Sequence, residues 1–154
     1  MPAMAKLTRA EIEQIMTEAR QKGEKPNLSQ LDLSNMSLFG ADLSQADLSQ
    51  TNLRQTILSK ANLSQANLHQ ARLMEASLSG ANLSGANLSQ ASLFQANLSE
   101  ADLSGANLQE AELNGANLNR ANLDQADLSR ALYTAYTHWA IGFDPAKRGA
   151  IKTY

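Results

Sequence analysis

A chain of 154 residues has room for one domain and hardly for two. Its 13 Lys+Arg against 15 Asp+Glu leave a net charge of −2, neither the basic footprint of a nucleic-acid binder nor an acidic extreme. Cys is absent, which excludes disulfides, zinc–thiolate sites and cysteine nucleophiles. The apolar share of 43% is unusual in kind: 24 Leu, 25 Ala and no Val, with aromatics at only 5%. Such a composition follows a pattern rather than filling an irregular core.

The first twenty residues carry Lys6, Arg9, Glu11, Glu13, Glu18 and Arg20, which break any apolar run long enough for a signal peptide. No stretch approaches the roughly 18–20 apolar residues of a membrane span, so a cytoplasmic protein is expected. Residues 7–23 read as a helix. Thr8 and Glu11 form a capping-box pair, and Leu7 and Ile12 occupy the hydrophobic-staple positions. Ile12, Ile15, Met16 and Ala19 make one apolar stripe, and Gly23 ends the helix.

From Leu28 to Leu128 leucine stands at every fifth position, 21 times in succession. Two residues before each is a second series; from position 41 to 126 sixteen of its eighteen members are Ala, with Thr51 and Thr56 as the others. The unit reads Ala-(Asn/Asp)-Leu-Ser-(Gln/Gly), as in Ala81-Asn82-Leu83-Ser84-Gly85. A period of five suits neither a helix, where five residues advance about 500°, nor a flat strand, where an odd step alternates faces. A short extended bridge followed by a corner does suit it. Ala and Leu then point inward together, so Leu63, Leu83, Leu103, Ala81 and Ala101 are structural interior. Five of the eight Gly (Gly40, Gly80, Gly85, Gly105, Gly115) fall at the second residue after a Leu, the third place of a type II turn, which requires positive φ. Pro2, Pro26 and Pro145 all lie outside the Leu28–Leu128 array, leaving every array N–H free for a ladder.

Tandem Ala-(Asn/Asp)-Leu-x-x over about residues 26–133 resembles the pentapeptide-repeat family. That resemblance implies an all-β fold, a right-handed quadrilateral β-helix with twenty residues per coil. Five coils or so would stand roughly 25 Å tall at a strand spacing of about 4.8 Å. One domain over residues 1–154 is expected, with the helix of residues 7–23 capping one end of the solenoid and residues 134–154 the other. Tyr133, Tyr136, Trp139 and Phe143 gather most of the aromatics there, and the segment Ala131–Pro145 resembles C-terminal caps of cyanobacterial members. Those caps commonly have Pro after the Trp-like residue, where this chain has Ala140. Tyr133, Trp139 and Phe143 are expected to pack as cap core rather than to line a ligand pocket.

Chemistry finds few residues. His69 follows a Leu at a corner and His138 lies in the aromatic segment, neither with a second ligand at metal spacing. The many Ser are corner residues without a His and acid aimed at them, and Asn-Leu-Ser triplets match the glycosylation motif only because the repeat generates it. No catalytic, cofactor or metal site is therefore expected, and the chain reads as a non-enzymatic structural or interaction scaffold of unknown role. An outward column spaced by twenty, Arg54, Met74, Phe94 and Asn114, places Met74 and Phe94 side by side and exposed, with Phe39 on the next face. Arg54, Met74, Phe94 and Phe39 are the candidate protein-contact patch. The expected partner is another protein, with neither nucleic acid nor membrane involved, and the chain a monomer or at most a weak dimer. The alternative is a DNA mimic that inhibits or protects DNA gyrase, as acidic members of the family do. Residues 26–130 carry ten acids and five bases, whereas a 25 Å duplex mimic would need on the order of fifteen charges.

Overall fold

A computed structural model describes residues 6–154 of the chain. One helix, α1 (Arg9–Gln21), precedes the repeats. Only two short strands follow them, β1 (Leu132–Tyr133) and β2 (Ile151–Lys152), paired in parallel with Leu132 opposite Ile151. Between lies a column of single-residue parallel bridges. All but the last, Asn117↔His138, join positions twenty apart, as in Asn27↔Asp47, Asp47↔Asn67, Asn67↔Asn87 and Asn87↔Asn107. Four pentapeptides, each with its own corner, separate bridged partners.

The repeat unit places all five of its backbone N–H groups, which explains its sequence. In Ala81–Gly85 the Ala81 N–H closes the preceding corner onto Leu78 O (3.0 Å), and Asn82 N–H reaches the coil below at Ala61 O (2.9 Å). Leu83 and Gly85 donate to the coil above, at Asp102 O (2.7 Å) and Ser104 O (2.9 Å). Ser84 N–H has no backbone acceptor and donates instead to its neighbour's side chain, Asn82 Oδ1, at 3.0 Å. Every Asn and Asp at this position of the repeat accepts the same bond from the residue two ahead, an Asx turn. The Asn-Leu-Ser triplet is thus a hydrogen-bonding device.

Corners differ from expectation in one respect. Positive φ at the second corner residue is universal and not confined to glycine: Gln55, Lys60, Glu75 and Arg120 take φ of 56 to 59°, close to Gly80 at 65°. The left-handed conformation costs an ordinary residue about 1–2 kcal/mol, so closing the corner and completing two ladder bonds outweighs residue preference.

Inside, the Leu and Ala series are buried throughout: Leu63, Leu83 and Leu103 are wholly inaccessible, as Ala81 and Ala101 nearly are. Thr51 and Thr56 replace Ala without an unpaired hydroxyl, bonding Leu48 O and Leu33 O. In the first coil the Ala positions hold Leu31 and Met36 instead, larger groups packed against the core beside α1. There no lower coil limits side-chain size.

Helix α1 begins where Thr8 Oγ1 accepts Glu11 N–H at 3.2 Å; the return bond to the Glu11 carboxylate comes from the Thr8 hydroxyl (3.1 Å), not from its backbone N–H. Its C-terminus is a Schellman turn through Gly23, with Glu24 N–H on Ala19 O (2.9 Å) and Gly23 N–H on Arg20 O (3.0 Å). Ile12 and Met16 are buried in the solenoid core. The charged residues of this segment have a second task. The four corner carbonyls of the first coil have no coil beneath to donate to them, and three of them receive a basic side chain: Lys6 Nζ to Ser34 O (3.1 Å), Arg9 Nη1 to Phe39 O (2.9 Å) and Arg20 Nη2 to Ser44 O (3.2 Å).

Candidate functional site

Register assembles one face from residues far apart in sequence. Gln55 N–H bonds Met74 O (3.0 Å), Glu75 N–H bonds Phe94 O (2.8 Å) and Gln95 N–H bonds Asn114 O (3.0 Å), so Arg54, Met74, Phe94 and Asn114 climb one corner coil by coil. Phe39, expected on the next face, instead begins the opposite corner of the same face, because the bridge of Ser37 and Ile57 lies between the two corners; its neighbour Gly40 donates to Ser59 O at 3.0 Å. Between the two corners runs the bridged line Ser37, Ile57, Ser77, Asn97. Phe39 is 50% exposed, Ile57 44% and Phe94 37%; these are the exposed large apolar side chains of residues 26–131, and all three lie on this face.

Met74 departs from expectation, since it is half-buried rather than exposed. Its column neighbours Arg54 and Phe94 stand one coil below and above, about 4.8 Å away along the rod. Phe94 is the stronger feature of the pair. Arg54 is exposed, its guanidinium 4.0 Å from Glu75 Oε1, while Gln55 Nε2 donates to Glu75 Oε2 at 2.8 Å. Ile57 escaped the sequence reading. Its signal was an apolar residue where the unit requires Asn or Asp.

The other surfaces are polar ladders. Gln50, Gln70 and Gln90 pass side-chain amide bonds upward (3.2 and 2.8 Å) to Glu110, which Arg130 closes at 2.7 Å. Glu100 and Arg120 pair at 3.7 Å. Hydrogen bonds from Ser34, Ser44 and Ser129 hold the carboxyls of Asp32, Asp42 and Asp127 below the usual range, with Lys6, Arg20 and Arg130 respectively adding attraction.

Tyr133, Trp139 and Phe143 pack against the core. Trp139 meets Tyr133 edge-on at 5.5 Å and stacks on Phe143 at 5.3 Å, with the Arg148 guanidinium 5.4 Å over the Phe143 ring. Arg148 Nη1 also donates to Leu123 O and Ala126 O (both 3.4 Å), as the basic residues of α1 do at the other end. His138, exposed, bridges Asn117, and Thr137 before it bonds Leu113 O (2.8 Å) as Thr56 bonds Leu33 O, so Trp139 sits where a Leu would stand. His69 shares a hydrogen bond with Ser89 Oγ at 2.8 Å. Among the described residues no three His, Asp or Glu converge as a metal site, and no helix is long and apolar enough to cross a membrane.

A family model for pentapeptide repeats matches residues 24–55, 56–95 and 96–132. No curated protein matches the chain. Among solved structures it is similar to HetL, a pentapeptide-repeat protein involved in heterocyst differentiation regulation from the cyanobacterium Nostoc, at 37% identity and a TM-score of 0.64 over 87% of this chain. The chain spans 57% of HetL's length. It is also similar to a pentapeptide-repeat protein of the Arabidopsis thaliana thylakoid lumen (35% identity, TM-score 0.62, covering 63% of this chain and 68% of that one). A third is Rfr23 from the cyanobacterium Cyanothece (28% identity, TM-score 0.55, covering 83% and 99%). Twenty-residue register, five-residue corners and this match over most of the array agree: the chain belongs to the pentapeptide-repeat family and shares its right-handed β-helix.

Proposed function

We propose that the chain is a non-enzymatic interaction scaffold, about five four-sided coils capped by residues 7–23 and 134–154. In this reading Phe39, Arg54, Met74 and Phe94, joined by Ile57, form its contact face for a protein partner. One observation carries this reading: the exposed large apolar side chains of the array share a single face, while the remaining faces carry polar and charged side chains, as in the line Asp32, Asn52, Arg72, Ser92 and Glu112. Scattered exposed apolar residues are ordinary, but residues gathered by register from three different coils mark a surface meant to be covered. The likeness to HetL, a protein involved in regulation, supports contact rather than catalysis as its mode of action. DNA mimicry draws less support. Glu75, Glu100 and Glu110 each have an arginine as ion-pair partner, which breaks up any continuous acidic stripe.

Site-specific photo-crosslinking tests the proposal. Benzoylphenylalanine is placed at Phe39 or Phe94, and for comparison at Gln65 or Gln125 on the far corner, in an extract of the encoding organism. A protein adduct from Phe39 and Phe94 alone is expected. Equal labelling from all four positions would refute a dedicated face.

A further inference from the structure

The regularity of the rod fails at one corner, and the failure leaves a groove. Bridged partners stay twenty apart up to Glu112↔Leu132, but Asn117 bridges His138, twenty-one away. The extra residue falls between Tyr133 and Thr137, so this stretch bulges instead of stacking as a corner on Asn114 and Gly115. Thr134 N–H turns back onto Thr137 Oγ1 at 3.1 Å, and Tyr136 is 79% exposed. In the coils below, the equivalent corner N–H groups of Gln55, Glu75 and Gln95 each reach a carbonyl above. Gly115 N–H makes no hydrogen bond among the described residues. Beside it, Asn114 Oδ1 is buried and equally without a partner. The residues Asn114 and Gly115 line a groove of about 490 Å³ together with Phe94, Tyr136 and Lys152. Lys152 is exposed and forms no ion pair among the described residues.

These groups specify their complement. Gly115 N–H requires a carbonyl and Asn114 Oδ1 an N–H, the two groups that every peptide unit carries. Phe94 and Tyr136 offer aromatic walls, and Lys152 adds a positive charge at the rim. We infer that the groove takes an extended segment of a partner protein bearing an aromatic residue next to an acidic one. The segment pairs with the backbone that the displaced corner leaves open, as strand addition does at a sheet edge. Leaving a buried acceptor unpaired is costly, so its satisfaction favours the bound state. The groove's volume falls in the range of about 300–1,000 Å³ usual for binding clefts. This inference rests on the scaffold reading and deepens it, since Phe94 belongs to both the face and the groove.

The test is a titration of the ¹⁵N-labelled full chain with acetyl-Asp-Trp-amide, followed by NMR. Saturable shifts at Gly115 N–H and the Asn114 side-chain amide are expected, with a dissociation constant roughly in the millimolar range. Acetyl-Asn-Trp-amide should bind about threefold more weakly, and Lys152→Gln should abolish that difference, as for an exposed ion pair. Asn114→Ser and Phe94→Ser introduce the residue that the repeat itself carries at Ser84 and Ser104, so both retain the fold. Each should weaken binding about fivefold or more through loss of the acceptor or of the aromatic wall. Absence of a saturable shift at Gly115, or wild-type affinity in both Ser variants, overturns the inference. If that happens while the crosslinks from Phe39 and Phe94 persist, the scaffold reading stands without the groove. Peptide binding without those crosslinks leaves the groove and removes the wider face.

Discussion

Leu83→Ala tests the load carried by a single interior position. Leu83 is wholly buried, with Leu63 and Leu103 one coil below and above in the same column. Leu-to-Ala changes in packed cores cost about 2–5 kcal/mol, the spread depending on how far the surroundings collapse into the space. Collapse is restricted here. The backbone is pinned by Leu63 N–H on Asn82 O and Leu83 N–H on Asp102 O, both 2.7 Å, and the flanking Ala81 and Ala86 carry only a methyl, which has no rotamer that could fill the space. The expected loss is therefore in the upper half of the range, about 3–5 kcal/mol. Ser84→Ala, one residue away and facing outward, removes a half-exposed bond to Asn82 Oδ1 (2.7 Å) and should cost only about 0.5 kcal/mol.

Urea denaturation followed by circular dichroism compares the two. Because a solenoid coil touches only its neighbours, the transition of Leu83→Ala is expected to broaden as the rod divides at the damaged coil, so hydrogen exchange should accompany it. Faster exchange at Leu63, Leu83 and Leu103 N–H, with Leu43 and its neighbours near α1 still protected, is the expected signature. Equal destabilisation by the two variants, or uniform loss of protection along the rod, would refute an interior made of independent stacked columns.

The remaining predictions concern corners, ends and charges. Gln125→Gly relieves positive φ of 56° at a corner whose side chain makes no hydrogen bond among the described residues, and should raise stability by about 0.5–1 kcal/mol in the same denaturation assay, the left-handed cost outweighing glycine's extra unfolded-state entropy. Replacing Lys6, Arg9 and Arg20 together by Met leaves three corner carbonyls without donors and should produce end-to-end association, visible in size-exclusion chromatography; a well-behaved monomer would show that these bonds do not guard the edge. Glu110→Lys places two positive charges where Arg130 now pairs at 2.7 Å, and should cost about 0.2–1 kcal/mol in low salt and almost nothing in high salt. Asp32, Asp42 and Asp127 have lowered pKa values in the fold, so their contribution is complete above the ordinary Asp value of about 3.9 and disappears as pH falls through the lowered ones. Changing all three to Asn, the other residue of that repeat position, should flatten the acid limb of a urea-midpoint-against-pH curve.

Most of the fold was legible because the interior admits so few solutions. A five-residue period with two inward positions has to turn a corner each time, and the Leu and Ala columns followed from that alone. Handedness and coil length did not; they came with the family resemblance, because periodicity does not specify how many corners return the chain to its start. Two features were illegible for a different reason. The bond from Ser84 N–H to Asn82 Oδ1 becomes evident only once the ladder has used the other four donors of the unit, leaving this one over. The basic residues in and just before α1 look in sequence like ordinary surface charge, and only the open carbonyls of the first coil give Lys6, Arg9 and Arg20 their role.

The candidate site lies among departures from the repeat. Wherever the unit is kept, the outward residues are determined by the backbone: Asn or Asp accepts the corner N–H, and Ser and Gln or Gly make the turn. Polar departures such as Arg72 and Glu112 stay in water, whereas an apolar residue that gives up this service gains nothing locally and calls for something outside the coil to cover it. Ile57 forgoes the Asx bond, and Phe39, Met74 and Phe94 replace the corner Ser. The added residue between Tyr133 and Thr137 forgoes the corner altogether and leaves the Gly115 N–H open. The apolar exceptions and the added residue are spread over a hundred positions of sequence, yet the twenty-residue register brings them to a single side of the rod. Corner chemistry does not require that coincidence, whereas a partner lying along that side would.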